Sequence, residues 1–211
     1  MSETLRRGLS NIFIAEVTKD DNAEGGGYTA GTPEQLFPAG EMTRTVESDK
    51  APVYFDNAVF YMSGREGNTE VSITGADIRA NKLARILGKY IDETTGAVYD
   101  TGEYVEKYYA LGGTAHKVDG TEEKFWFMKG TFAIPELSDK TIDDSTDTSG
   151  LTIVFSAQRT IHKFEIASGV KNGLKQVCID TETTELKAEQ TWEAQVVTPE
   201  IASTVIQKKA E

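Results

Sequence analysis

His116, His162 and Cys178 are the only imidazole and thiol groups in this chain. A catalytic thiol needs a histidine and an electropositive setting to hold it as thiolate, and no spacing ties either histidine to Cys178. A lone cysteine cannot close an internal disulfide, which fits a reducing compartment. The expectation for Cys178 is a small buried hydrophobe on a strand. Asp139, Asp143, Asp144 and Asp147 crowd one polar stretch, but a calcium loop places acids at alternate positions and then turns on a glycine. This spacing differs and reads as a solvated loop. The triplet Gly25-Gly26-Gly27 lies in no Walker or GxGxxG pattern and follows Asp20-Asp21, so it reads as a flexible loop rather than a phosphate cradle. No GxSxG, HExxH or CxxC motif occurs. Carboxylate pairs of the glycosidase kind are inevitable among 34 acidic residues, yet no aromatic groove pattern accompanies any pair. These residues predict no catalytic, cofactor-binding or metal-binding site.

The charge balance points the same way. Thirty-four acids against 22 bases leave a net charge of -12. Duplex DNA binders cluster Lys and Arg to reach about six to ten phosphates, and an acidic surface repels that ligand. Arg6-Arg7 precede only a short apolar run, Ile12–Ala15, too short for a signal peptide core. No stretch approaches the ~18 apolar residues of a membrane span. The expectation is a soluble chain made in the cytosol, with no membrane partner.

The elements that would position any function are mostly strands. Asn11–Val17 reads as a buried strand, and Met42–Val46 as a strand with polar alternation. The run Val59-Phe60-Tyr61-Met62 is followed by a polar break, Ser63–Asn68, and by the alternating segment Val71-Ser72-Ile73. The period then changes: Leu83, Ile86, Leu87 and Tyr90 recur at helical spacing. Thr74 and Asp77 suggest an acidic capping box, and Gly88 a helix stop, so a helix is predicted over about 76–88. Val105–Leu111 and Phe125–Ile134 read as an antiparallel hairpin, punctuated by Gly112-Gly113 and Asp119-Gly120. Trp126, Met128, Phe132 and Ile134 are placed on one face, Phe125 and Phe127 on the other. Leu151–Ala157, Ile161–Ile166, Val177–Ile179 and Thr191–Val197 continue the strand pattern.

The predicted fold is one mainly β (α+β) domain over 1–211, a β-sandwich or partial barrel of about eight to ten mostly antiparallel strands with one flanking helix. Residues 1–9 and 198–211 are expected as arms, and residues 48–68 as a long hairpin loop. Tyr54, Phe55, Phe60 and Tyr61 fall on that loop, between Lys50 and Arg65. Aromatics in such a place serve either local packing or an interface; the latter makes these six residues interface candidates.

Four stretches carry a family likeness. Gly8-Leu9-Ser10-Asn11-Ile12-Phe13-Ile14-Ala15-Glu16-Val17 looks like the opening of the major tail proteins of long-tailed, non-contractile bacteriophages. Gly31-Thr32-Pro33-Glu34-Gln35-Leu36 is similar to a segment those proteins carry next. Glu70–Ile78 with Lys82–Gly88 resembles their central strand-to-helix element, and Lys129-Gly130-Thr131-Phe132-Ala133-Ile134-Pro135-Glu136 a later strand. The four run in the family's order over residues 8–136, and the chain after Gly150 is less distinctive. The resemblance implies a tail tube protein: a virion component of hexameric rings stacked into a tube that conducts DNA into the host without binding it specifically. It also implies a tape-measure protein, a tail terminator and distal tail proteins as partners. Some relatives carry an extra C-terminal immunoglobulin-like domain, which is not expected within these 211 residues.

That implication fits the sequence mechanically. Ring closure pairs open sheet edges that otherwise invite aggregation. Acidic residues facing a bore would repel DNA within about 8 Å. Two alternatives are a tube from a tailocin or secretion machine and, from another class, a carbohydrate-binding β-sandwich or glycoside hydrolase.

Overall fold

The computed structural model describes residues 4–23, 26–55, 58–137, 150–188 and 190–209, with backbone only for 49–54, 58–65 and 167. Fifteen strands and two helices occur among the described residues. In chain order they are β1 (Arg6–Asp21), β2 (Gly27–Ala30), β3 (Glu34–Gln35), β4 (Ala39–Phe55), β5 (Ala58–Gly75), α1 (Ala80–Ile86), β6 (Tyr90–Ile91), β7 (Val98–Tyr99), β8 (Tyr109–Lys117) and β9 (Glu122–Phe132). The rest are β10 (Leu151–Gln158), β11 (Lys163–Ala167), β12 (Val170–Gly173), β13 (Gln176–Asp180), β14 (Thr184–Leu186), α2 (Pro199–Val205) and β15 (Ile206–Lys208).

Nine strands make one antiparallel sheet in the order β2-β1-β8-β9-β10-β5-β4, with β3 added to β1 and β13 to β9. Its ends curl together. Ile12 and Ile14 of β1 share a core with Met42 of β4, although four strands lie between β1 and β4 in that order. Leu111, Phe125, Phe127, Val71, Ile73, Ile153 and Phe155 fill the same interior, and Ile86, with Ile78 just ahead of the helix, brings α1 onto it. The result is a partial barrel with its apolar face inward. The opposite face of β1, β8 and β9 carries Ala15, Ala110, Trp126 and Met128, covered by Phe164, Trp192, Val196, Val197 and Val205 from the last fifty residues. This is the mainly β, antiparallel architecture with a flanking helix that the strand pattern predicts.

Several details differ from the sequence expectations, each for a local reason. Helix α1 is Ala80–Ile86, shorter than 76–88. No side chain caps it: Thr74 belongs to β5 and meets Thr152, while Asp77 accepts the amide of Ile78. The C-terminal signal holds. Gly88 takes φ +69°, and the amides of Gly88 and Lys89 donate to Arg85 and Ala84, the paired bonds of a Schellman stop. Tyr90 leaves the helix stripe and is exposed on β6. Gly112-Gly113, expected as punctuation, sit inside β8. A Cβ at either would come within 2.6 Å of Trp126 or Ile12 side-chain atoms, so these glycines let aromatics pack against the strand itself.

A bulge in β9 overturns one face assignment. Leu111 pairs with Phe127, but Tyr109 pairs with Gly130, so β9 holds one residue more than β8. Beyond it the alternation inverts. Phe132 therefore packs with Phe125 and Phe127 inside the barrel rather than with Trp126 and Met128, and Ile134 is exposed past the strand.

The expected arms are structured where described. Arg6–Ser10 pairs with Lys117–Thr114. Thr198-Pro199 opens α2, Val205 is fully buried, and β15 pairs with β14. Proline at a first helical position is a start signal, and its presence at 199 marks this second helix. The acids Asp139, Asp143, Asp144 and Asp147 lie outside the described residues.

Candidate functional site

The six interface candidates fall on one element. Strands β4 and β5 pair from Ala39↔Gly75 out to Phe55↔Ala58, whereas β10 accompanies β5 only over Thr69–Gly75. From Ser48↔Glu66 outward the two strands form a ribbon without a third strand among the described residues. Eight residues at ~3.3 Å each make it about 26 Å long. The long hairpin expected over 48–68 is thus paired out to its described tip. Lys50 pairs with Gly64, Arg65 with Asp49, Tyr61 with Val53, Tyr54 with Val59 and Phe55 with Ala58. Phe60 is the extra residue where the register shifts between Val53 and Tyr54. Of the six side chains Phe55 is the one described, and it is 60% exposed.

The ribbon is anchored at its base. Lys175 Nζ donates to Glu66 Oε1 at 2.7 Å, to the Gly67 carbonyl at 2.8 Å and to Thr69 Oγ1 at 3.1 Å. That bond and charge hold the Glu66 carboxyl below its ordinary range. Nothing in the sequence near Lys175 signals this role.

At the other end of the barrel, three of the resembling stretches meet. Glu34 pairs with Arg85 at 2.5 Å, Lys82 donates to the Gln35 carbonyl, and Gln35 pairs with Phe13. The β1, β3 and α1 segments therefore form one contiguous structure.

Charged groups inside the molecule were not signalled by motif. Lys129 Nζ lies 2.7 Å from Asp20 Oδ2, both side chains being under 10% exposed. Asp20 also accepts the amides of Ile161 at 3.0 Å and His162 at 2.8 Å. Burial works to raise its carboxyl, but the two amides and Lys129 outweigh it, and the net direction is down. Lys129 further sits 4.4 Å from the Tyr108 ring. Its sequence signal was a lysine inside the most apolar strand. Arg44 stacks 3.9 Å over Phe125 and pairs with Glu123 at 3.2 Å, which also holds Arg6 at 2.6 Å. Glu123 thereby ties β1 to β4 across the barrel.

One arrangement has the order of a nucleophilic relay. Ser10 Oγ lies 2.6 Å from His116 Nε2, and His116 Nδ1 lies 3.1 Å from Glu122 Oε1. Lys124 holds the second Glu122 oxygen at 3.0 Å. The three residues sit on adjacent strands β1, β8 and β9, half-exposed, and line neither of the two clefts described below. Cys178 departs from its expectation: it is exposed on β13. Partial desolvation of the sulfur and then the nearby Glu123 push its thiol up, opposite to an activated nucleophile.

Among the described residues no cluster of three or more His, Cys, Asp and Glu is arranged to hold a metal ion, and no helix is long and apolar enough to cross a membrane. One cleft of about 350 Å³ opens beside Arg44, Arg159 and Lys175. Another, of about 340 Å³, lies between the Tyr28–Pro33 segment and Ala194–Ile201. No known family model matches the chain, and no curated protein matches it.

Proposed function

We propose that this chain is a structural subunit that assembles with copies of itself into stacked hexameric rings, forming the tail tube of a long-tailed phage. The observation that carries this reading is the unaccompanied ribbon. A two-stranded hairpin alone in water is marginally stable, and this one projects about 26 Å past the last strand that supports it. It gains a stable setting by lying against a neighbour. Strand β4 ends the sheet order over seventeen residues, a long edge of the kind that pairs with another chain.

Two further points support the reading. The family likeness of residues 8–136 maps onto contiguous structure around β1, β3 and α1. The net charge of -12 suits a bore through which DNA slides, with DNA passing and tape-measure, terminator and distal tail proteins docking at the tube ends. Its place is then the virion tail. Electron microscopy of concentrated protein tests this directly. Rings or tubes are expected, and a monomer at every concentration overturns it.

The relay Ser10–His116–Glu122 favours a second reading, a serine hydrolase. Covalent labelling of Ser10 by a fluorophosphonate, lost in His116→Ala, would establish it. Its position on an open sheet face, away from both clefts, ranks it below assembly.

A further inference from the structure

Strand β9 uses one edge twice. Its first half, Glu123–Phe127, pairs with β13, and its end, Lys129–Phe132, pairs with β10. The sheet divides there, and the cleft of about 350 Å³ occupies the division. Phe127 contributes an apolar surface, and Arg44, Arg159, Lys175, Asn172 and Gln176 contribute donors. Arg44 is the unusual member. Its Nη1 serves Glu123, but Nε and Nη2 are buried with no hydrogen-bond partner among the described residues. Those two atoms form the side-on edge of the guanidinium, the edge that grips a carboxylate or phosphate with two parallel bonds. Leaving such donors unmade is costly, and a specific buried orphan calls for a missing partner.

The local charge agrees. Arg6, Arg44, Arg159 and Lys175 gather around the carboxylates of Glu123 and Glu66. Four cations against two anions leave two positive charges in excess, in a chain whose overall charge is -12. Burial pushes the Arg44 guanidinium down, with Glu123 opposing that shift.

We infer that this cleft is an oxyanion site, with Arg44 as the bidentate ligand and Arg159 and Lys175 as the cations of its wall. The ligand is a carboxylate or a phosphate monoester of small size. Neither orphan nitrogen has surface open to water, so the anion first meets Arg159, exposed on the rim, and binds Arg44 only as the guanidinium turns out from between its neighbours into the cleft. Two sources share that chemistry: an acidic side chain of a second copy, and a free anion. The site stands whether or not the subunit forms tubes.

The test is calorimetric titration of the dilute subunit with inorganic phosphate and, separately, succinate, at constant ionic strength so that screening does not change. Saturable binding is expected, about tenfold weaker in Arg44→Met, which keeps an apolar stem over Phe125. Arg159→Gln, at an exposed position, weakens it without touching the barrel. Absence of saturable binding by the wild-type subunit overturns the site, as does binding unchanged in both variants. Sedimentation with and without millimolar phosphate then separates the sources. Suppressed self-association assigns the ligand to a neighbouring copy's carboxylate, and unchanged self-association assigns it to a free anion.

Discussion

Trp126 and Trp192 each donate an indole hydrogen bond to the segment that carries the other. The indole of Trp126 donates to the Trp192 carbonyl at 3.2 Å, and the indole of Trp192 donates to the Phe125 carbonyl at 3.3 Å. Both rings are fully buried. One belongs to the central strand β9, the other to the irregular segment before α2, so this exchange joins the outer layer to the barrel.

Trp192→Ala removes a large buried ring and one of the two bonds. It is expected to cost about 3–5 kcal/mol of unfolding free energy, read by urea denaturation. Trp192→Phe keeps most of the volume but leaves the Phe125 carbonyl without this donor, and about 1–3 kcal/mol is expected.

Asp20 gives a pH signature. Its folded carboxyl lies below the ordinary 3.8, so its contribution is complete above the unfolded value and disappears as pH falls through the folded one. Wild-type stability should therefore drop more steeply than that of Asp20→Asn below about pH 4. At neutral pH, Asp20→Asn leaves Lys129 buried without its counter-ion, a loss of about 3–5 kcal/mol. Adding Lys129→Met should recover part of it.

Two glycines separate strain from collision. Gly88 and Gly102 both have positive φ, +69° and +76°. A Cβ at Gly102 meets nothing within 4 Å, whereas one at Gly88 would lie 1.9 Å from the Val105 carbonyl oxygen. Gly102→Ala should cost about 1 kcal/mol, and Gly88→Ala clearly more, measured by thermal unfolding of the two variants side by side.

Replacing residues 49–65 by Asn-Gly closes the hairpin where Ser48 already faces Glu66. The barrel should keep its circular dichroism spectrum and its urea midpoint, while rings or tubes disappear from micrographs. Unfolded protein, or normal tubes, would contradict the assembly role of the ribbon.

The hydrophobic rhythm made the sheet legible, because Ile12, Ile14, Val71, Ile73, Phe125 and Phe127 alternate toward one interior. Gly88 marked the end of α1 because a left-handed residue is nearly reserved for glycine. What stayed hidden depends on partners far away in the chain. The pairing of Lys175 with Glu66, Gly67 and Thr69 and the orphan edge of Arg44 have no local pattern. The bulge after Phe127 is equally silent, since an extra residue leaves the composition of β9 unchanged. The ribbon was legible as a long hairpin, but the pairing of its polar stretch was not, since Ser63–Asn68 resembles a break when the opposing strand is out of view.

The pairing of Ser10 with Thr114 has a consequence for biosynthesis. The earliest strand leaves the ribosome roughly a hundred residues ahead of the one it must join. At about 5–20 residues per second, β1 waits several seconds for β8. Both strands of the β4–β5 hairpin emerge during that interval, and alone they make a hairpin of only marginal stability. A nascent chain therefore exposes both strands of its outward projection before it owns a centre to attach them to, and that projection is secured only when β8, β9 and β10 follow.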